Sequence, residues 1–371
     1  MFLYFSASPR IRVNIFWFRL ARLRFKIMEK ILNKKHIDDW IAALDGWDIQ
    51  APVLEDDIWS YQPVGGAVRL DHPNTKQSPK GLAFPQREIF FKFEQIKGEA
   101  PRLTEVVPDE RRHAVFGVRP CDGRGVPRMD LVFNDHVEDN YYLARRKNVA
   151  YVGLACNKPP SANCFCLSVG GSPVSTEGLD VQMTDLGDRY FVKAITEAGK
   201  GLMTAAGKLF AEPSAADQKQ VKQVHAEAVA QPQRAVRNVE EVPAKLKASF
   251  KSPLWQELAQ PCIGCGICTF LCPTCHCFDI NDEVQSKAPL KGIRVRTWDN
   301  CQFPDFTMHS SGHNPRENTG ARLRQRVGHK FQYFPENFGM PQCTGCGRCI
   351  SECPVGIDII NVVNKVVENA G

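Results

Sequence analysis

The 371-residue sequence predicts an α+β fold in which an N-terminal α/β domain precedes a smaller, cysteine-rich domain. Two observations support this prediction. Apolar runs over 114–118 and 149–154 are typical of buried strands, and the stretch between them is long enough for one βαβ crossover. Most of the 15 cysteines lie beyond residue 261, at gaps of two and three residues. Such clustering in a long chain favours metal binding over a disulfide scaffold.

The N-terminal domain is predicted to span 28–245. Apolar residues at helical spacing predict a helix over 31–44, which ends at an Asp-Gly pair. Two short strands flanking an Asp-Leu-Gly-Asp turn predict a β-hairpin over 181–195. Residues 213–250 are rich in Ala, Gln and Lys, and they predict a helical connector to the C-terminal domain, 246–371.

A basic leader, 1–27, precedes these domains. It contains no acidic residue, and it accounts for the whole net charge of +6 through Arg10, Arg12, Arg19, Arg22, Arg24 and Lys26. Its recurring arginines exclude a secretory signal, so it is either a membrane-surface helix or the product of an upstream start codon, with Met28 the true first residue. We expect the leader to lie outside the folded protein. The neutral remainder gives no case for a nucleic-acid partner, and no apolar run of ~18 residues predicts a transmembrane segment.

Two cysteine runs in the C-terminal domain share the spacing C-x2-C-x2-C-x3-C-P. The first run is Cys262, Cys265, Cys268 and Cys272, and the second is Cys343, Cys346, Cys349 and Cys353. Bacterial two-cluster ferredoxins use this run, and the fourth cysteine of each run ligates the other cluster. We therefore predict one 4Fe–4S cluster at Cys262, Cys265, Cys268 and Cys353, and another at Cys343, Cys346, Cys349 and Cys272. A pair of zinc ribbons or knuckles, which also use C-x2-C pairs, is the alternative, although zinc sites rarely need a third cysteine two residues on and the trailing Cys-Pro has no role there.

The predicted architecture is therefore an N-terminal α/β domain followed by a two-cluster ferredoxin-like domain. Glycines alternate with the cysteines of each run at Gly264, Gly266, Gly345 and Gly347, and they let the backbone wrap closely around a cluster. A long insertion, 274–342, separates the two runs. Its arginines at 322, 324 and 326 spread around a helix, because positions two apart do not share a face. This segment is either a solvated basic helix or a device that offsets cluster charge or docks an acidic partner.

A third group of cysteines lies in the N-terminal domain. Cys121 and Cys156 each follow one of the two predicted strands, and parallel strands bring such residues to the same edge of a sheet. Cys164 and Cys166 follow in a loop that is able to fold back over that edge. We predict a third Fe–S cluster, most simply 4Fe–4S, held by Cys121, Cys156, Cys164 and Cys166. A structural zinc or four unligated buried thiols are the alternatives.

Three cysteines have no place in these sets: Cys275, Cys277 and Cys301. They could form a further site only if His276 or Asp299 supplied a fourth ligand, and core thiols are the simpler interpretation. Motifs for nucleotide binding are also missing, because no G-x-G-x-x-G follows a strand. The sequence therefore predicts no flavin or nicotinamide site within this chain.

Several segments resemble one protein family. They are CPTCHCFD, RTWDNCQFPDFT, GHNPR, RLRQRVGHKFQYFPENFG and QCTGCGRCISECPVGIDI, with NTKQSPKGLAFPQRE, GVRPCDGRG, YYLARR and LACNKPPSANCFC in the N-terminal half. Over about residues 50–371 the chain resembles the iron–sulfur β subunit of cytosolic nickel–iron hydrogenases (sulfhydrogenases). It is equally similar to the iron–sulfur subunit of anaerobic sulfite reductase, and these segments do not separate the two.

The resemblance implies an electron-transfer protein of a cytoplasmic complex, with no catalytic site of its own. It would lie between one subunit that binds flavin and nicotinamide and another that carries the catalytic hydrogenase or reductase site. Two other functions stay open. One is a reductase that acts on a sulfur substrate at an incompletely ligated cluster, such as one held by Cys275, Cys277 and Cys301. The other is a zinc-binding interaction module.

Overall fold

A computed structural model describes residues 28–369, so the predicted leader lies outside the described residues. Two sheets carry its strands, with the orders β10-β1-β9-β8-β7-β6-β2-β3 and β11-β12-β4-β5. The strands are β1 (Glu29–Asn33), β2 (Trp47–Glu55), β3 (Ile58–Pro63), β4 (Arg87–Gln95), β5 (Arg102–Glu105), β6 (Arg112–Val118), β7 (Val149–Leu154), β8 (Val181–Asp185), β9 (Arg189–Ala194), β10 (Phe210–Ala211), β11 (Phe278–Lys287) and β12 (Leu290–Trp298).

Helices cover the larger sheet and form most of the C-terminal half, which confirms the α+β class. They are α1 (Ile37–Ala42), α2 (Pro120–Gly123), α3 (Gly125–Phe133), α4 (Asn140–Arg146), α5 (Glu197–Ala205), α6 (Ala215–Ala230), α7 (Val242–Ala248), α8 (Leu254–Ala259), α9 (Ile267–Phe270), α10 (Thr319–Gly328), α11 (Phe334–Phe338), α12 (Arg348–Ser351) and α13 (Ile359–Asn369). A π-helical turn, His329–Tyr333, joins α10 to α11. No helix within 28–369 is long and apolar enough to cross a bilayer.

The two predicted buried strands are confirmed as β6 and β7, neighbours in the larger sheet. They run parallel, with His113 paired to Val149 at the start of the register. Every residue of β7 is buried. Because both faces of these strands are covered, their sequences read as continuous apolar runs. The crossover between them contains α2, α3 and α4.

The predicted helix over 31–44 is wrong in its first half. Ile31 lies on β1, where it pairs with Phe191 of β9. A single 3-10 turn then leads into α1, which buries Ile37 and Trp40 against the larger sheet. Strand pairing decided this segment, because an apolar residue such as Ile31 packs as well on a strand as on a helix.

The predicted hairpin is confirmed, since β8 and β9 pair antiparallel with Val181 opposite Ala194. The connector is helical as expected. Its helix α6 begins at a capping box formed by Ser214 and Asp217, and α7 follows it. The connector packs against the C-terminal half: Val242 shares a core with Phe331.

The smaller sheet takes strands from both sides of residue 245. Strands β4 and β5 come from the N-terminal half, and β11 and β12 come from the insertion between the cysteine runs. Arg296 of β12 is fully buried, and it forms ion pairs with Glu88 of β4 and with Asp139, which caps α4. A shared sheet and a buried charge network therefore join the two predicted domains.

Candidate metal centres

The first thiol site consists of Cys262, Cys265, Cys268 and Cys353. All four line one cavity, which places the last cysteine of the second run beside the first three of the first run. The remaining lining is mostly apolar and includes Ile263 and Leu323. Cys265 is exposed, and Ile263 beside it is 67% exposed. This site therefore lies close to the protein surface.

The second thiol site consists of Cys343, Cys346, Cys349 and Cys272. Cys272 lies near enough to each of the other three that its charge raises their pKa values, although burial is the larger cause in each case. Together these effects raise the pKa of Cys343 to about 12. The structure thus brings together the four residues that the crossed ligand pattern predicts.

Both cysteine loops depend on glycine. Gly264, Gly266, Gly345 and Gly347 all have φ between +68° and +77°, a conformation that L-residues rarely adopt. Space is also restricted. A Cβ on Gly266 would lie 2.3 Å from the Asn300 side chain, and a Cβ on Gly347 would lie 2.4 Å from the Asn163 carbonyl oxygen. All four glycines therefore have the backbone conformation that the expected wrapping of the loops would use.

The third thiol site consists of Cys121, Cys156, Cys164 and Cys166. All four line a second cavity. Cys121 lies on α2 directly after β6, and Cys156 lies two residues after β7. The loop with Cys164 and Cys166 folds back over that sheet edge, where the Phe165 N–H donates to the Gly345 carbonyl at 2.9 Å.

Buried donors surround the third site. Burial raises the pKa of Cys156 to about 12, while the nearby guanidinium of Arg119 acts to lower it. Gln233 Nε2 lies 3.6 Å from Cys166 Sγ. Among the described residues, Arg119 Nε and Arg124 Nη1 are buried without an acceptor. The charges of Arg119 and Arg124 act on Cys156 and Cys166, and positive charge of this kind favours an anionic, thiolate-bound group at the site.

The thiols do not have the spacing of a single-ion site. Within 28–369, no three His, Cys, Asp or Glu side chains converge closely enough to hold one metal ion. A zinc site needs four ligands within about 2.0–2.3 Å of its ion. A cubane cluster instead receives each thiolate at a different iron, so its ligands stand farther apart around a cavity. In the first and third sites the four cysteines line a cavity.

The three sites lie in a row. Cys349 of the second site also lines the cavity of the first site, and Cys346 of the second site lines the cavity of the third. Asn74 bridges the second and third sites: its Nδ2 donates to the Cys346 carbonyl at 3.1 Å and lies 4.0 Å from Cys164 Sγ. The second site is therefore the middle member, in contact with both neighbours.

The three remaining cysteines form contacting pairs. Cys275 contacts Cys272 through its thiol, and Cys277 contacts Cys301 in the same way. The Cys277 thiol is the largest cause that lowers the pKa of Cys301, to about 5. His276 contacts Thr274 and Gln342 instead of these thiols. Cys275 and Cys301 are buried, as expected for core thiols.

Sequence reasoning missed most of the basic residues that surround the thiol sites. Arg322 and Arg326 are buried, so the interpretation of α10 as a solvated basic helix is wrong for this face. Lys330 is buried on the following π-helical turn. The sequence did contain a signal for this burial: Arg322, Arg326 and Lys330 are spaced four residues apart, so they share one helical face. Arg324 lies on another face, with its guanidinium 3.9 Å from the centre of the Phe250 ring.

Arg348 links the second and third sites. It follows Gly347 in the second cysteine loop, and its guanidinium forms a two-bond ion pair with Asp122, the residue after Cys121. Its Nε also donates to the Thr75 carbonyl at 2.8 Å. Both charged side chains are buried. This pair therefore holds α2, and Cys121 with it, against the second cysteine loop.

Comparison with known proteins agrees with this geometry. A family model described as a 4Fe-4S dicluster domain matches residues 261–357, which contain the first and second thiol sites. The chain is 31% identical over 326 residues to sulfhydrogenase 2 subunit beta of Pyrococcus furiosus, an alignment that covers 86% of this chain and 92% of that protein. No solved structure matches the chain.

Proposed function

This chain belongs to the family of hydrogenase β-type iron–sulfur subunits, and we propose that it relays single electrons between two partner subunits. One partner would bind flavin and nicotinamide, and the other would carry the catalytic hydrogenase or reductase site, in a cytoplasmic complex. The observation that carries the proposal is the row of three thiol sites, whose middle member contacts both others. An unbroken row is what electron transfer over short steps requires.

The twelve cysteines of the three sites would hold three 4Fe–4S clusters, with the ligand sets named above. When bound, such a cluster supplies a one-electron couple whose potential depends on its hydrogen bonds, net charge and exposure. The protein supplies the hydrogen bonds. Asn74 and Gln233 reach sulfur atoms of the third site, and the positive-φ glycines shape the loops of the first two.

The first site is the end of the row where we place one partner. Its cavity wall includes the exposed Cys265 and the exposed, apolar Ile263. An exposed apolar side chain next to a redox centre suits a subunit interface, because it excludes water where the electron crosses. The other partner would then approach the third site, where Cys121 is partly exposed.

The contacts of Cys275, Cys277 and Cys301 give no support to the alternative function, a reductase that acts on a sulfur substrate. A substrate-reducing cluster at Cys275, Cys277 and Cys301 would need these three residues to surround one cavity. Instead, Cys275 contacts Cys272, and Cys277 contacts Cys301. The relay therefore remains the function that the geometry supports best.

The proposal is tested by metal content and electron transfer. Chain purified and reconstituted without air is expected to hold about twelve iron atoms with matching sulfide, against about eight if only the first two sites are loaded. Cys349→Ser is expected to remove one cluster from the middle of the row and to stop electron flow through the assembled complex. A matched control is Cys301→Ser, which lies outside the three sites. Unchanged electron flow in the Cys349→Ser complex would show that the proposed path is wrong.

A further inference from the structure

Arg326 and Lys330 are cations that lie buried beside the first and second thiol sites without a carboxylate partner. Arg326 is 5% exposed and Lys330 is 3% exposed. In the described part of the chain, neither forms an ion pair with an Asp or Glu side chain; their polar contacts are thiol, hydroxyl and amide groups. Burying an ion without a counter-charge costs several kcal/mol. The structure therefore points to negative charge at the thiol sites themselves.

Arg326 lies between the first and second sites. It lines the cavity of the first site, which Cys349 of the second site also lines. Its Nη1 lies 3.6 Å from Cys275 Sγ. Cys268, a residue of the first site, lines the same cavity wall as Arg326 and Cys349. The guanidinium therefore acts on both sites at once.

Lys330 lies beside the second site alone. Its Nζ donates to Thr274 Oγ1 at 2.9 Å and to Gln342 Oε1 at 3.1 Å. Thr274 Oγ1 in turn lies 3.4 Å from Cys272 Sγ, and Gln342 directly precedes Cys343, so both contacts place the ammonium beside residues of the second site. Since the ammonium is held by two neutral groups, its full charge remains available to the neighbouring sulfur ligands.

A fixed buried cation favours the reduced state of a nearby redox centre. Reduction adds one electron, and so one negative charge, without making or breaking a bond to the protein. In a low-dielectric interior the attraction between that charge and the cation is much stronger than in water. Each such cation therefore raises the reduction potential of the centre that it faces.

We propose that Arg326 sets the reduction potentials of both clusters of the ferredoxin-like domain, and that Lys330 sets the potential of the second-site cluster alone. The inference rests on the proposed function, because it requires clusters at these sites. Arg326 and Lys330 act here through charge and position, and neither ligates a metal.

The experiment is a reductive titration of the anaerobically reconstituted full chain, followed by electron paramagnetic resonance. In Arg326→Gln, two of the one-electron couples are expected to shift to lower potential. The reduced-to-oxidised ratio at a fixed potential should fall at least tenfold for each, which corresponds to about 59 mV for a one-electron couple. In Lys330→Gln, only one couple is expected to shift.

Arg324→Gln is the matched control. Arg324 lies on the same helix, two residues from Arg326, but its guanidinium stacks on Phe250 and donates to the Phe250 carbonyl at 2.9 Å. Its substitution should leave every couple in place. Arg326→Lys, which keeps the charge, should recover most of the shift seen in Arg326→Gln.

The outcomes separate the two proposals. Wild-type chain without iron or a cluster signal would overturn the proposed function itself. Loaded Arg326→Gln chain with unchanged potentials would overturn the inference and leave the proposed function intact. If Arg326→Gln fails to hold iron, Lys330→Gln decides the question, because unchanged potentials in that chain would also overturn the inference.

Discussion

Single residues with unusual backbone geometry shape the cysteine loops. Gly347 combines φ of +77° with a tight contact, because a Cβ there would meet the Asn163 carbonyl oxygen at 2.4 Å. Gly312 has a similar φ of +81°, yet a Cβ there would meet nothing within 4 Å. Comparing alanine substitutions at Gly347 and Gly312 therefore separates the free-energy cost of the backbone conformation from the cost of the steric clash.

We predict that Gly347→Ala destabilises the chain much more than Gly312→Ala does. The positive φ alone should cost about 1–2 kcal/mol at either position. At Gly347 the steric clash adds about 1–3 kcal/mol, and the distorted loop should lower the iron content. Urea denaturation and iron analysis of both variants provide the measurement. Equal losses of stability would show that space at Gly347 is not limiting.

At the scale of elements, the insertion helix delivers charge and histidine to the buried side of the thiol sites. The π-helical turn His329–Tyr333 follows α10 without a break. His329 stacks on His276 with their ring centres 6.3 Å apart. Burial, with Lys330 as the next cause, lowers the pKa of His276 to about 3 and that of His329 to about 4. Both rings are therefore neutral at pH 7.

We predict that these histidines make the chain labile to acid. The unfolded state takes up a proton at each ring near pH 6.5, whereas the folded state does not do so at His329 until about pH 4. The unfolded form binds more protons in this window, so stability falls as the pH drops from about 6.5 towards 4. For His329 alone the loss is about 1.4 kcal/mol at pH 5.5.

The measurement is the free energy of unfolding at pH 7.5 and pH 5.5. His329→Gln should reduce the difference between the two values, because glutamine does not titrate. His136→Gln is the matched control, since His136 is exposed on the surface. A pH dependence that is the same in His329→Gln as in the wild type would contradict the assignment.

At the scale of the whole molecule, buried ion pairs hold the two halves together. Arg348 and Asp122 join the second cysteine loop to α2, and Arg296 joins β12 of the insertion to Glu88 of β4 and to Asp139 at the start of α4. Except at the partly exposed Asp139, these charges are buried, so each depends on its partner: removing one partner leaves an uncompensated charge in the interior. The relative position of the second and third sites therefore depends on the Arg348–Asp122 pair.

We predict that Asp122→Asn costs about 3–5 kcal/mol of unfolding free energy, because it strands the buried Arg348. The double variant Asp122→Asn with Arg348→Gln should cost less than the sum of the two single variants. The exposed pair Arg237–Glu368 serves as the control, and Glu368→Gln should cost less than about 1 kcal/mol. Additive effects at Asp122 and Arg348 would show that the pair is not coupled.

The sequence by itself determined the features that depend on residues close together in the chain. Spacing within each run of four cysteines is short enough to assign the ferredoxin-like pattern, and the continuous apolar runs of β6 and β7 identified the parallel strands that carry Cys121 and Cys156. The prediction of a helix over 31–44 was wrong in its first half because a partner distant in sequence decided the structure there: pairing with β9 places Ile31 on a strand.

Only the tertiary structure decided how these parts lie relative to one another. It placed the second thiol site between the other two, turned Arg326 and Lys330 inward, and joined the two halves through a shared sheet and the Arg348–Asp122 pair. These relations connect residues that are far apart in the chain; the four-residue spacing of Arg326 and Lys330 shows that they share a helical face, but the fold decides what that face packs against. A cysteine run specifies its own loop geometry, whereas the charge around that loop depends on which distant side chains the fold packs against it.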